Sequence, residues 1–477
     1  MSRYGARLLA IILLIFTLSC GPGMPMDFGS SDELELFEVE TGDDHQGLIL
    51  ITIDTLRADY LGAYGHPVVQ TPHLERLASG GQLFRTAIAQ SSTTTPSHAS
   101  LMTSLYLHDH NVYSNFEAVG QDPQTIAQIL QAQGYKTFAM VNMRHLNPEV
   151  SNLGEGYDTF IRSGNMRRTE ETVDEFIKWV DDNEGEKFFA WLHLVDVHTP
   201  YRPPPPYDRL YYDGDERDPE IDSLARIWNK LPHHMSDHPY FRTWLAGIRD
   251  LDWVIAQYQG AITYVDDQIG RLMDGLDARG ILDTTAMVVT SDHGECLGEH
   301  DMYFVHTGLY EPTVRVPLIT YFPGSGRAGV EVHEVVELVD VMPTVLDYLG
   351  VESPRSIRGR PLWPLIHGQI EPERIAITEH AGRNLVALRS ARYKYIQHLR
   401  SRRLQPSYPF RKGVEELYDL SVDPGEEHNI AKDNPEILAM FRQELKERRN
   451  ERLDMDIGQA ELNQDTIQVL RALGYVR

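Results

Sequence analysis

The chain has 477 residues and a formal charge of −26, from 44 Lys and Arg against 70 Asp and Glu. Its length accommodates one large domain plus a smaller one with ample core. A surface this acidic repels a nucleic acid backbone and excludes nucleic acid as a partner, whereas an anionic small substrate stays open, because a bound cation or a helix N-terminus reverses the potential locally. With Cys20 and Cys296 as its two cysteines, the chain is not a disulfide-stapled scaffold.

Arg3 and Arg7 precede an apolar run from Leu8 to Leu18, followed by Ser19-Cys20-Gly21. This is the pattern of a secretory leader, shorter than a membrane span. The cysteine directly after the apolar run resembles a bacterial lipoprotein processing site, although Thr17 and Leu18 fit it imperfectly. The expectation is an exported envelope protein, periplasmic or membrane-anchored, with residues 1–20 as leader and a lipid on Cys20; an ordinary cleaved leader is the alternative. Residues 21–46, rich in Gly, Pro and acid, read as a flexible tether.

From Gly47 onward, apolar runs alternate with helical patterns: LILITI (48–53), FAMV (138–141), FFAWLHLV (188–195), MVVT (287–290) and VPLITYF (316–322). Near-continuous apolar strands between helices predict an α/β fold with a large, mostly parallel sheet covered on both faces. The spacing predicts helices over 122–134 and 248–280, the second with Ile262, Val265, Ile269, Leu272 and Leu276 on one stripe. The stretch between Pro200 and Trp244, rich in Pro, Tyr, His and Asp, reads as a surface loop, with a substrate lid as the alternative. After about residue 370, NLVALRSARYKYIQHL (384–399) and ELYDLSVDPGEEHNI (416–430) read as alternating strands of a small α+β domain, which places the boundaries at 47–370 and 371–477.

Three of the apolar strands end in acid-bearing turns: Asp54 after the first, Asp196 and His198 after the third, Asp292 and His293 after the fourth. Ligands of open α/β sheets bind beyond the carboxyl ends of the strands, so these turns can share one site. Taken singly, each Asp is explained as a helix cap or turn former. Together, carboxylates and imidazoles make a site for a divalent cation, with Zn, Mn, Mg and Ca all compatible. The segment SSTTTPSHAS (91–100) reads as a helix start, with Pro96 in the first turn and Thr94 or Thr95 at the cap. Free N–H groups there favour a tetrahedral anion, and a threonine hydroxyl held against a cation can attack phosphorus without a separate base.

The chain resembles the sulfatase family of the alkaline phosphatase superfamily. The likeness runs through DTLRADYLGAYG (54–65), TPHLERLASGGQLF (71–84), TTPSHASLMTSLY (94–106), AITYVDDQIGRLMDGL (261–276), TSDHGECLGEHD (290–301), LYEPTVRVPLI (309–319), LVDVMPTVLDYLGV (338–351) and the 416–430 segment. It implies a three-layer αβα sandwich with a smaller C-terminal domain built on an antiparallel sheet. The family's metal ligands map onto Asp54, Asp292 and His293, with Thr55 where a second Asp is usual. The family's catalytic histidine maps onto His198, and its usual lysine is replaced by His306; His145 is a weak match to the Lys-x-His element. At the nucleophile, where sulfatases carry a Cys or Ser oxidised to formylglycine, this chain has Thr94, and His98 replaces the accompanying Arg. Oxidation of threonine gives a ketone, not the aldehyde that the sulfatase route needs.

The resemblance therefore implies a metal-dependent hydrolase of small anionic phosphate (or sulfate) esters. Thr94 is the expected nucleophile and a metal contact, His198 and His306 are the other catalytic residues, and His98, Asp196 and His300 contact substrate. One cation is expected; a second would draw on Asp196, His198, His300 and His306. Two alternatives stay open: a transferase that passes a phospho-group to an envelope lipid or glycan, and a non-catalytic envelope lipoprotein that keeps the fold.

Overall fold

A computed structural model of the chain describes residues 46–451 and 453, apart from 163, 165–166, 232–235, 237–238 and 404–408. The leader, Cys20 and all of the tether except Gln46 lie outside the described residues.

The main sheet is built from β1 (Gly47–Ile53), β2 (Gln82–Ile88), β3 (Lys136–Met140), β4 (Thr159–Ile161), β5 (Phe188–Leu194) and β6 (Thr285–Thr290). After a short hairpin of β7 (Cys296–Leu297) and β8 (Tyr303–Val305), it is completed by β9 (Arg315–Tyr321) and β10 (Val330–Glu337). Its order is β10-β2-β9-β6-β1-β5-β3-β4, parallel throughout except where β9 runs antiparallel to both β2 and β6. Strand alternation explains why both faces are covered. In β1, Ile49, Ile51 and Ile53 enter one core cluster while Leu48 and Leu50 enter the other. In β5, Ala190 and Leu192 go with the first set, and Phe189 and Trp191 with the second. The two cores make the three-layer αβα sandwich.

The helix expected over 122–134 starts later, at Ile126, because Thr125 and Gln128 close a reciprocal capping box that ends the extended segment before it. The long helix spans Leu251–Asp277, with the Asp250 carboxylate accepting from Asp252 N. The stretch between Pro200 and Trp244 packs against that helix. Tyr207 Oη donates to Asp267 at 2.5 Å, and its carbonyl lies so close to Gly260 that a Cβ there would sit 2.2 Å from it. Tyr201, at the beginning of the stretch, is fully buried.

A second sheet follows: β11 (Ala376–Glu379), β12 (Leu385–Arg389) and β13 (Tyr393–His398), then the two-stranded β14 (Arg402–Arg403) and β15 (Pro409–Phe410), then β16 (Glu415–Asp419). The order β11-β12-β13-β16 is antiparallel throughout, and the helix Pro435–Asn450 buries Leu438, Phe441 and Leu445 in the same core cluster as Tyr395 and Leu417. The expected boundary at 370/371 falls between the short helix Trp363–Ile366 and β11. Lys394 of β13 is fully buried between two carboxylates, 3.1 Å from Glu311 Oε1 and 2.9 Å from Glu426 Oε1.

Removing one partner of a buried ion pair strands the other's charge. Lys394→Met is expected to lower the unfolding free energy by about 3–5 kcal/mol, read as a reduced urea midpoint with unchanged slope.

Candidate functional site

Because β1 lies between β5 and β6, the turns after these three strands meet at one end of the sheet. Ligand atoms of Asp54, Asp292 and His293 lie within 4.8 Å of one another, and all three residues are fully buried. His293 Nε2 is 3.4 Å from Asp292 Oδ2 and 3.9 Å from Asp54 Oδ1. His293 Nδ1 donates to the Gly294 carbonyl at 3.0 Å, which leaves Nε2 with a lone pair facing the carboxylates. Gly294 is required here, since a Cβ would stand 2.1 Å from Pro312 O. Asp292 Oδ1 accepts from His293 N and Thr55 N, but Asp292 Oδ2 and both Asp54 oxygens have no hydrogen-bond partner among the described residues.

The electrostatics follow from this crowding. Burial works to raise the Asp54 carboxyl, yet the fields of His198, His193 and His293 outweigh it and hold it below the usual carboxylate range. Burial, and then the charge of Asp54, pushes Asp292 well above that range. Burial, and then the neighbouring His306, keeps His293 well below the ordinary imidazole value and so neutral. Buried carboxylate oxygens without partners, beside an imidazole lone pair, suit a divalent cation. The hydroxyl of Thr55 is not available to it, being bonded to Val197 O at 3.0 Å, and its backbone takes a left-handed φ of 60° that is costly for a β-branched residue.

The helix α1 (Thr94–Thr103) begins against this cluster. Its N-cap is Thr93, so Thr94 is the first helical residue and not the cap expected from the sequence. Thr94 Oγ1 stands 3.3 Å from His293 Nε2. The helix start offers fewer free donors than expected: Thr95 N donates to Asn115 Oδ1 at 2.9 Å, and Pro96 has none. Ser97 Oγ donates to the Asp292 carbonyl at 2.6 Å, fixing the register of α1 on the turn after β6.

His98, expected to contact substrate, is fully buried beneath the site with both ring nitrogens engaged. Its Nδ1 donates to Thr94 O at 2.9 Å and its Nε2 accepts from Thr52 Oγ1 at 3.0 Å, the threonine oxygen itself accepting from Trp191 Nε1. Burial, and then His193, hold its pKa down to about 3. His98 therefore props the helix start from below. Asp196 is also placed elsewhere: its Oδ2 accepts from Thr169 N at 2.8 Å and from Thr169 Oγ1 at 2.6 Å, at the start of the helix Thr169–Asp182. His300 stacks on Tyr310 at 3.6 Å between ring centroids, in the field of Glu416 and Lys394, and so belongs to the seam with the second sheet.

His198 and His306 do reach the site. Their ring centroids are 6.0 Å apart, and that of His306 is 4.4 Å from that of His293. His306 Nδ1 lies 3.6 Å from Glu295 Oε1. Burial opposes the charged imidazole, but Glu295 outweighs it and raises the His306 pKa above the ordinary value. His145 is buried with Nε2 unpartnered among the described residues; burial brings its pKa down to about 3 against the pull of Asp54. The four residues named for a second cation, Asp196, His198, His300 and His306, form no ligand cluster among the described residues. Two residues that the sequence reading passed over belong here: Glu295, and His193 inside the apolar run of β5, whose Nε2 is 3.5 Å from Asp54 Oδ2. A histidine near the C-terminal end of an otherwise apolar strand was the available signal.

Residues 46–351 match the family model described as Sulfatase, and residues 298–451 match that described as N-sulphoglucosamine sulphohydrolase, C-terminal. An arylsulfatase of Clostridium perfringens is 28% identical over 451 residues, a match covering 80% of this chain and 89% of that protein. The multifunctional alkaline phosphatase superfamily protein PehA of Trinickia caryophylli is 25% identical over 496 residues, covering 83% and 93%. Among solved structures, the phosphonate monoester hydrolase of Agrobacterium radiobacter shares the fold with a TM-score of 0.67 at 23% identity, over 86% of this chain and 96% of that one.

Relieving the crowded carboxylates has a measurable sign. A cation at 100 times its dissociation constant is expected to stabilise the protein by about 2.7 kcal/mol, seen as a raised Tm that a chelator reverses. Asp54→Asn is expected to abolish that cation-dependent rise while leaving the metal-free Tm equal to or above the parent's.

Proposed function

The chain belongs to the sulfatase family, and from that premise we propose that it hydrolyses phosphate esters with Thr94 as nucleophile in a metal-dependent reaction. The observation that carries the proposal is the Thr94 hydroxyl, 3.3 Å from the lone-pair nitrogen of His293, at the edge of the Asp54–Asp292–His293 cluster. Those three residues would hold a divalent cation, which supplies a Lewis acid that lowers the pKa of an adjacent hydroxyl and offsets charge on the transferring group. The choice of ester rests on the side chain: threonine cannot yield formylglycine, and a plain alcohol attacks phosphorus directly.

In this reaction Thr94 gives its hydroxyl proton to solvent, to be recovered when the adduct is cleaved, and its oxygen forms a bond to phosphorus while the ester oxygen leaves on the opposite side, taking a proton from His198 or His306. Glu295 favours His306 for that task by keeping it charged. Water entering on the leaving side is deprotonated by the same histidine, cleaves the phospho-threonine and regenerates the hydroxyl. His98, Ser97 and Thr52 hold Thr94 in line from beneath.

The test is a panel of phosphate mono- and diesters, phosphonate and sulfate esters given to the metal-supplemented protein, with rapid acid quench and mass spectrometry of the peptide spanning residues 91–100. Phosphate ester turnover with a phosphate adduct on Thr94 is the expected result, and Thr94→Ala is expected to lose at least ~10³-fold in kcat; turnover of sulfate esters alone would overturn the substrate assignment.

The acid role of His306 gives a pH signature. Its protonated form persists above the ordinary imidazole range because of Glu295, so kcat is expected to fall as pH rises through the raised value. Glu295→Gln is expected to move that alkaline limb to lower pH.

A further inference from the structure

His193 lies near the end of β5, paired in register with Thr52 of β1, and is fully buried. The Asn142 backbone N–H donates to its Nδ1 at 3.4 Å, and the Asn142 side-chain amide donates to its carbonyl at 2.6 Å. Since a backbone N–H can only donate, Nδ1 is the lone-pair nitrogen and the ring proton sits on Nε2. That Nε2 has no hydrogen-bond partner among the described residues and lies 3.5 Å from Asp54 Oδ2, itself unpartnered. The ring is wedged edge-on against His98 at 5.2 Å and Trp191 at 6.4 Å, so its direction is fixed. Asp54 thus stands between two imidazoles of opposite character: His193 offers a proton to Oδ2, and His293, 3.9 Å from Oδ1, offers a lone pair.

We infer that His193 is a positioning residue for the cation site: its Nε2–H holds Asp54 Oδ2 and turns Oδ1 toward the ion read to sit with Asp292 and His293. The inference rests on that cation reading. At 3.5 Å the contact is at the long end of the hydrogen-bond range, and a small rotation of the carboxylate closes it. A second partner on the far oxygen of a ligating carboxylate fixes its orientation and raises ion affinity. His193 cannot itself be a ligand in this tautomer, because the nitrogen that faces the site carries the proton.

Two isosteric halves of the ring separate this role from a merely structural one. Asparagine can place an acceptor where Nδ1 meets Asn142 N but has no donor that reaches Asp54; glutamine can place an N–H donor where Nε2 stands. Mn2+, Ca2+ and Zn2+ are titrated in turn into the metal-free full chain by calorimetry, with Tm as the check on folding. His193→Asn is expected to fold and to bind the tightest of these ions about 10–100-fold more weakly than the parent, while His193→Gln recovers most of the loss. A folded His193→Asn protein that binds as tightly as the parent, or a His193→Gln protein no better than His193→Asn, overturns the inference. A parent chain that binds none of the three ions overturns the cation reading instead.

Discussion

Two carboxylates at the ends of adjacent parallel strands, both sealed from water, set the terms for everything around them. Asp54 and Asp292 cannot both carry charge there without a counter-charge, and three of their four oxygens lack a hydrogen-bond donor among the described residues. Among the described residues the groups that act most on Asp54 are histidines: His193, His198 and His293 each do so, and His306 and His145 stand in the same field. Imidazoles can neutralise the cluster partly, change protonation near neutral pH, and leave lone pairs for an ion. Fixed cations would fill the site instead of leaving it competent.

The sheet makes this crowding affordable. Because β1 is flanked by β5 and β6 and these three strands are buried along their whole length, the strand ends are rigid, and the turns leaving them have little freedom. The underside is equally specified: a chain of hydrogen bonds runs from Trp191 through Thr52 and His98 to the carbonyl of Thr94. The Thr94 hydroxyl is thereby positioned by groups buried beneath it, and the left-handed backbone of Thr55 is the local strain that this packing sustains.

The apolar runs disclosed the five central strands and a mostly parallel sheet, because strands buried on both faces need unbroken hydrophobicity; that β9 runs against its neighbours was not legible in them. They did not disclose the three-residue β4, nor β2 and β10: Gln82–Ile88 and Val330–Glu337 mix charge into their runs, with Arg85, Glu331, His333 and Glu334 on the less covered side of the sheet. The grouping of Asp54, Asp292 and His293 was legible since each follows an apolar strand. Asp196 shared that signature yet caps the helix at Thr169, a partner that chain order cannot reveal. His98 and His193 are hidden in the opposite way: the motif around His98 suggests a substrate contact and His193 is submerged in an apolar run, whereas their partners, Thr52 and Asn142, come from distant strand ends.

Lys394 also bears on the order in which the molecule is made. Glu311, which ends the segment carrying His306, donates its backbone N–H to Glu426 at 2.6 Å across 115 positions of sequence, and Lys394 sits between the two carboxylates. The cluster at Asp54, Asp292 and His293 and the Glu295 partner of His306 belong to the first sheet, but the end of the segment that carries His306 gains its tie at Glu311 only when β13 and the turn after β16 have been added. A chain emerging N-terminus first thus holds every group of its centre by residue 306, yet the segment that carries the last of them is tied at its far end only as the last fifth of the polypeptide docks.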